Sequence, residues 1–284
     1  MSTTIDIAHL RQWVGREQVA EQTFEPFAAQ AMSGLLDRAA PPAVGDALPL
    51  PWHWLYFLET PARAATGVDG HPQRGGFLPP VPLPRRMWAA GALQCDAPLR
   101  IGAPARKRST VRSVDLKEGR SGPLVFVTVD HLLEQDGRTC IREEQNIVYR
   151  EAPSAPAPLP PGEKAPKAAQ WSAPLQPDPA LLFRFSALTY NGHRIHYDRD
   201  YAVREEFYPA LVVHGPLLAT ALLDLLERGR PGVPVRSFTF RALRPAFDTD
   251  TLQLCAAAEG DTVELWTQDA EGHIGMTARA TLGR

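Results

Sequence analysis

Pro216-Leu217-Leu218-Ala219-Thr220-Ala221-Leu222-Leu223-Asp224-Leu225-Leu226 is apolar on nearly every side, the pattern of a helix enclosed by other structure. Proline at its start suits the first helical turn, where a missing N–H costs nothing. The wider run from Ala210 to Leu226 is broken by His214, Pro216 and Asp224, so it reads as a buried helix and not a membrane span. Beyond Gly229 and Pro231 come four strand-like segments, Arg236–Arg241, Leu252–Ala257, Thr262–Gln268 and Ile274–Leu282. Asp269-Ala270-Glu271-Gly272 supplies a hairpin turn between the last two. A buried helix followed by antiparallel strands predicts one helix wrapped by a curved sheet.

The same order of elements occurs earlier in the chain. Pro84-Arg85-Arg86-Met87-Trp88-Ala89-Ala90-Gly91-Ala92-Leu93 opens with proline and reads as a helix. Ser109–Leu116, Val125–Glu134 and Thr139–Tyr149 then read as strands, with Asp136-Gly137 as the turn between the last two. Between the halves, nine of the 28 prolines fall within Glu151–Ala180, which excludes a helix interior or central strand there. The expected architecture is α+β: a double hotdog with two central helices, each wrapped by a curved antiparallel sheet. Residues 1–150 would hold N-terminal helices and one half, 151–180 a proline-rich linker, and 181–284 the other half. Ile5, Ile7, Leu10, Trp13 and Val14 have helical spacing, and Val19–Leu36 reads as a second helix with a packing role.

Composition bounds the function. With 44% hydrophobic and 22% charged residues in 284, the chain is globular and long enough for a large core. A net charge of -2 gives no reason to expect nucleic acid or an anionic membrane as partner. Cys95, Cys140 and Cys255 are far apart and form no Cys-x-x-Cys pair, which suits a reducing compartment and argues against a zinc framework. Met1–Ile7 has neither a basic nor an apolar leader region, so a cytoplasmic location is expected.

The segment Phe185-Ser186-Ala187-Leu188-Thr189-Tyr190-Asn191-Gly192-His193-Arg194-Ile195-His196-Tyr197-Asp198 concentrates polar chemistry. Downstream, Tyr208-Pro209-Ala210-Leu211-Val212-Val213-His214-Gly215-Pro216 leads into the buried helix, whose free N–H groups could polarise a carbonyl beside an imidazole. This spacing resembles the MaoC-like, R-specific enoyl-thioester hydratases, whose signature is Asp-x-Asn-Pro-[Leu/Ile]-His followed by a His-Gly. Asn191 stands at the family's aspartate, His193 at its asparagine, and His196 at its catalytic histidine, while His214-Gly215 matches the His-Gly. Asn-x-His-x-Ile-His-Tyr, with Leu83-Pro84-Arg85-Arg86-Met87-Trp88 upstream, is similar to the type 2 hydroxyacyl-thioester dehydratases. Two fused halves of this length look like the bacterial itaconyl-CoA and mesaconyl-C4-CoA hydratases within that group.

The resemblance implies syn addition of water to an enoyl thioester, reversibly giving citramalyl-CoA from a C5 dicarboxylyl-CoA. It assigns acid/base work to His196, orientation of the water or imidazole to Asn191, and the oxyanion donor to the Gly215 N–H. Tyr190, His193 and His214 are expected to line the substrate site. Asp198 and Tyr190 are further acid candidates, since an amide at Asn191 cannot take a proton. Arg85 and Arg86 could pair with a phosphate or substrate carboxylate. Arg106-Lys107-Arg108 is a weaker candidate for coenzyme A phosphates, and a charged strand edge explains it nearly as well. Coenzyme A enters as part of the substrate and no separate cofactor is implied. His193-x-x-His196 could face one side of a helix as in some metal sites, but no cysteine or carboxylate is arranged around it, so no metal is expected. The first half has no equivalent motif. Its Trp52-His53-Trp54-Leu55-Tyr56-Phe57 and Gly75-Gly76-Phe77-Leu78-Pro79-Pro80 would either shape an acyl pocket or fill the core. A fatty-acid or polyketide 3-hydroxyacyl-thioester dehydratase, acting on CoA or acyl carrier protein, and a non-catalytic acyl-CoA-binding protein are the alternatives, with a thioesterase on the same fold behind them. Homodimerisation is left open.

Overall fold

A computed structural model describes residues 5–119, 122–159 and 162–283. The first four residues, within the stretch read for a leader, lie outside the described residues. Ten strands form one antiparallel sheet: β1 (Glu17–Thr23), β2 (Arg85–Cys95), β3 (Pro104–Gly119), β4 (Gly122–Gln135), β5 (Arg138–Arg150), β6 (Trp171–Leu175), β7 (Val235–Ala242), β8 (Leu252–Glu259), β9 (Thr262–Gln268) and β10 (Ile274–Leu282). Their order is β1-β3-β4-β5-β2-β7-β10-β9-β8-β6. Read from either edge inward, the halves follow the same path, first strand, third, fourth, fifth, second. They join where β2 pairs antiparallel with β7, Ala92 opposite Thr239. Duplication, read from element order alone, is therefore written into the strand connectivity.

The helices are α1 (Ile7–Leu10), α2 (Pro26–Leu35), α3 (Pro179–Leu188), α4 (Arg199–Arg204) and α5 (Gly215–Gly229). α2 and α3 obey the repeat: each has ten residues, follows the first strand of its half, starts with proline, and packs against the other. α5 is the buried helix expected from Pro216–Leu226. Every residue from Leu217 to Leu226 is buried, and α5 packs on β6, β8, β9 and β10. Its buried acidic residue, Asp224, is held by Arg38 at 2.7 Å and Arg228 at 2.8 Å, so the buried carboxylate is compensated. The result is the double hotdog expected.

Three placements differ from the sequence reading. Pro84–Leu93 is not a helix; Arg85–Cys95 is β2, at the centre of the sheet. Its alanines favour a helix intrinsically, but β5 on one side and β7 on the other satisfy the backbone along this segment, and pairing overrides propensity. Among the described residues of the first half no long helix precedes β2 as α5 precedes β7, so the second of the two central helices expected is not found. The 3₁₀ turn Trp52–Leu55 is there instead, burying Trp52, Leu55 and Tyr56 against Leu93, Leu99 and Leu133. The helix read over Val19–Leu36 begins only at Pro26, because β1 pairs residue by residue with β3 up to Thr23. Within the proline-rich segment, Trp171–Leu175 forms β6, an edge strand whose Pro174 needs no ladder donor on its outer side. No helix among the described residues is long and apolar enough to cross a membrane.

Candidate active site

The motif begins where α3 ends. Tyr190 takes a left-handed turn (φ 48°) and the Asn191 N–H returns to the Ser186 carbonyl at 2.8 Å, closing the helix. The Asn191 side-chain oxygen then accepts from the His193 N–H at 3.0 Å, an Asx turn that sets the direction of the following chain. Arg194–His196 forms one 3₁₀ turn. Asp198 caps α4, accepting from the Tyr201 N–H at 3.1 Å, and its other oxygen pairs with Arg194 at 2.8 Å. Asp198 is thus spent on structure and does not line the cavity.

His196 is buried, and its Nδ1 lies 2.7 Å from the Val212 carbonyl oxygen. A carbonyl only accepts, so Nδ1 carries the proton and Nε2 keeps its lone pair. Burial lowers the pKa of His196 to about 4, against the upward pull of the Val212 bond. The ring stacks on His214, centroids 3.6 Å apart and 19° from parallel. His214, also buried and held neutral chiefly by desolvation, has Nε2 2.8 Å from the Ser186 hydroxyl. Immediately after it, Gly215 opens α5, whose first turn leaves N–H groups without helical partners. A Cβ there would lie 3.8 Å from the Trp88 carbonyl and 3.9 Å from Met276, ordinary contact distances.

These groups line one cavity of about 1200 Å³, with a majority apolar wall. Asn191, His193, His196, His214 and Gly215, expected from the sequence to act together, all reach it, as does the half-exposed Tyr190. Arg85 and Arg86 separate. Arg85 is taken up by Glu206, with Nε 2.5 Å from the carboxylate and a second bond to the Glu206 backbone, and its guanidinium lies over Tyr208. Arg86 lines the cavity with its charge facing the histidines. Arg106, Lys107 and Arg108 do not line it: Arg106 lies 3.8 Å from Glu21 on β1, and Lys107 sits over Phe57. Of the first-half aromatics, Trp52 is core, while Trp54 packs edge-on against Trp88 at 4.7 Å and both line the cavity. The segment thus divides between core and cavity wall.

Among the cavity residues that sequence reasoning missed, two bear directly on the motif. Asp69 and His71 come from the first half, on the loop Gly67–Pro72. His71 stacks obliquely on His193 at 4.0 Å, and His193 meets His196 edge-on at 5.4 Å. Asp69, His71 and His193 each place a donor atom within 4.8 Å of the others. The Arg86 guanidinium beside them disfavours a cation, and it adds to burial in holding the His71 and His193 rings neutral.

Residues 51–248 match the family model for hydroxyacyl-thioester dehydratase type 2. The mesaconyl-C(4)-CoA hydratase of Chloroflexus aurantiacus is 47% identical over 273 residues, covering 95% of this chain and 97% of that one. HtdX of Mycobacterium tuberculosis superposes with a TM-score of 0.65 at 17% identity, over 93% of this chain and 99% of that one. A second Mycobacterium tuberculosis protein, with a double hotdog fold, gives 0.55 at 14% identity over 95% and 96%.

Proposed function

The chain belongs to the hydroxyacyl-thioester dehydratase type 2 family, and we propose that it is an acyl-CoA hydratase acting on a branched C5 dicarboxylyl thioester, mesaconyl-C4-CoA or itaconyl-CoA, to give citramalyl-CoA. The observation that carries this reading is the pairing of a neutral His196 with the start of α5 across one cavity. On mesaconyl-C4-CoA, whose double bond is conjugated with the thioester, water attacks the β-carbon as His196 Nε2 takes its proton. The π electrons move to the thioester oxygen, where the Gly215 N–H stabilises the enolate. His196 then returns the proton to the α-carbon on the same face. Dehydration is the same path reversed.

Mesaconyl-C4-CoA carries a free carboxylate on the β-carbon, and Arg86 is the cavity cation that fits it. A charge-assisted pair of this kind contributes about 1.5–3 kcal/mol. Arg86→Gln is therefore expected to lower kcat/KM on mesaconyl-C4-CoA by about 10- to 100-fold. Crotonyl-CoA, which lacks the carboxylate, should be much less affected; equal losses on both would remove Arg86 from the specificity role. A panel of itaconyl-, mesaconyl-C4-, crotonyl- and octenoyl-CoA with products identified by mass tests the substrate directly. Crotonyl-CoA turned over as well as the C5 substrates would favour a dehydratase of uncharged chains.

The cavity also includes Arg63 and Arg150, which suit the coenzyme A phosphates better than Arg106-Lys107-Arg108 does. Replacing Arg63 and Arg150 with alanine should raise KM for CoA thioesters several-fold with kcat kept. Replacing the three residues at 106–108 should leave KM unchanged; the opposite pattern would restore the cluster.

A further inference from the structure

We propose that His71, backed by Asp69, is the second acceptor for the catalytic water and takes the place of the carboxylate that Asn191 does not provide. The inference rests on the hydratase reading. Water attacking a β-carbon must turn a lone pair toward it, which requires acceptors for both of its hydrogens. His196 Nε2 is one. Asn191 is a poor second, because its side-chain oxygen already accepts from the His193 N–H.

Asp69 and His71 form a unit held in register with the motif. The Asp69 carboxylate accepts from the His71 backbone N–H at 3.0 Å and faces its Nδ1 at 3.1 Å. A carboxylate behind Nδ1 keeps the proton on that nitrogen and leaves Nε2 as an acceptor. The loop itself is built to present them. The Gly67 N–H donates to the His71 carbonyl at 2.7 Å and the Gly70 N–H to the Gly67 carbonyl at 3.0 Å. From the motif, the Arg194 N–H donates to the Asp69 carbonyl at 2.9 Å and its guanidinium to the Val68 carbonyl at 3.1 Å. Gly70 has φ +87°, and a Cβ there would fall 1.8 Å from the Gly192 carbonyl oxygen. Only glycine permits this approach, so the first half is seated directly on the turn that carries His193 and His196.

The proton balance is simple. The hydrogen facing His196 leaves to Nε2 as the C–O bond forms and is returned to the α-carbon. The hydrogen facing His71 stays on oxygen and becomes the product hydroxyl hydrogen. His71 thus touches the reacting water, and Asp69 acts through it as a positioning residue. The half without the sequence motif becomes a contributor to the chemistry.

The test is steady-state hydration of mesaconyl-C4-CoA and crotonyl-CoA by wild type, His71→Ala, His71→Gln and Asp69→Asn, with thermal melts alongside. His71→Ala should lower kcat by about 100-fold or more with KM within about twofold, and free imidazole should restore part of the rate. Asp69→Asn should lower kcat by about tenfold, again without a KM change. His71→Gln, which keeps an acceptor oxygen, should lose less than His71→Ala; should His71→Ala fail to fold, Asp69→Asn carries the reading. A wild type active on an enoyl-CoA, with kcat in folded His71→Ala and Asp69→Asn within twofold of it, would overturn the inference alone. A wild type inactive on every enoyl-CoA would overturn the hydratase reading beneath it.

Discussion

His196→Ala is expected to lower the hydration rate by about 10²–10⁴-fold, the usual cost of removing a positioned acid/base group. The loss should fall on kcat, since many other residues share the cavity wall and would keep the binding surface in place. Single-turnover hydration with the product quantified by mass is the measurement, and a rate near wild type would remove His196 from the chemistry. The same residue links activity to pH. Its ordinary pKa of 6.5 falls to about 4 in the fold, mainly through burial. The native state therefore favours the neutral ring, and between pH 6.5 and 4 the unfolded chain binds more protons. Stability from this residue is complete above about pH 6.5 and is lost as pH falls toward 4, by about 3 kcal/mol in all. Denaturant midpoints should fall across that window, and His196→Asn should flatten the fall. Activity should behave in parallel: because neutral Nε2 is the base, the acid limb of kcat should sit nearer pH 4 than 6.5.

How far the sequence discloses this molecule depends on where each signal resides. In the second half the turns at Gly229–Pro231 and Asp269–Gly272 bound segments whose alternation is unambiguous, and β9 and β10 match the sequence reading residue for residue. β2 was hidden because its identity is a property of two neighbours. Nothing local in Ala89-Ala90-Gly91-Ala92 says that β5 and β7 flank it, and only Gly91, beneath the Phe240 ring, hints at close packing. The repeat itself offered a check. β7 is the second strand of its half, so its counterpart ahead of Ser109–Leu116 had to be a strand as well.

The site divides the same way. His193, His196, His214 and Gly215 stand in one stretch of 23 residues, at spacings that a turn and a helix start make intelligible. Asp69 and His71 lie more than a hundred residues upstream, and no spacing rule spans the fold of one half onto the other. The signal that could have exposed them is Val68-Asp69-Gly70-His71, a turn-forming Asp-Gly with a histidine immediately after it. Asn191 gave the reverse lesson. Its departure from the family's carboxylate was plain in the sequence, but its Asx turn to His193 was not, and that turn explains why an amide can stand there.

Glu143→Ala should be among the most destabilising single changes in the chain, at about 3–5 kcal/mol. Glu143 on β5 is buried, with one oxygen 2.9 Å from His53 Nε2 and the other accepting from the Trp54 indole N–H at 2.9 Å. Burial alone would raise its pKa; the His53 hydrogen bond and charge, with help from His131 and Trp54, outweigh it and hold the carboxyl at about 2. Truncation leaves His53 and the indole N–H without an acceptor in a dry interior, where each unmet group costs about 1–3 kcal/mol. For a chain of this size a loss of that order corresponds to a melting point lower by about 10 °C. Glu143→Gln, which keeps an acceptor for Trp54, should cost less. The linkage has the opposite sense from that of His196: this carboxylate contributes fully above its ordinary pKa of 4.5, and its contribution is lost as pH falls toward 2. Acid unfolding should thus show two windows, the lower one absent in Glu143→Gln. The site feels the change as well, because Trp54 stands between Glu143 and the cavity, packed against Trp88 and Phe240. Loosening Trp54 should raise KM before it touches kcat. A Glu143→Ala protein with an unchanged melting point would mean that His53 and Trp54 find new partners, and that the first half is less rigidly packed than its buried Glu143 hydrogen bonds indicate.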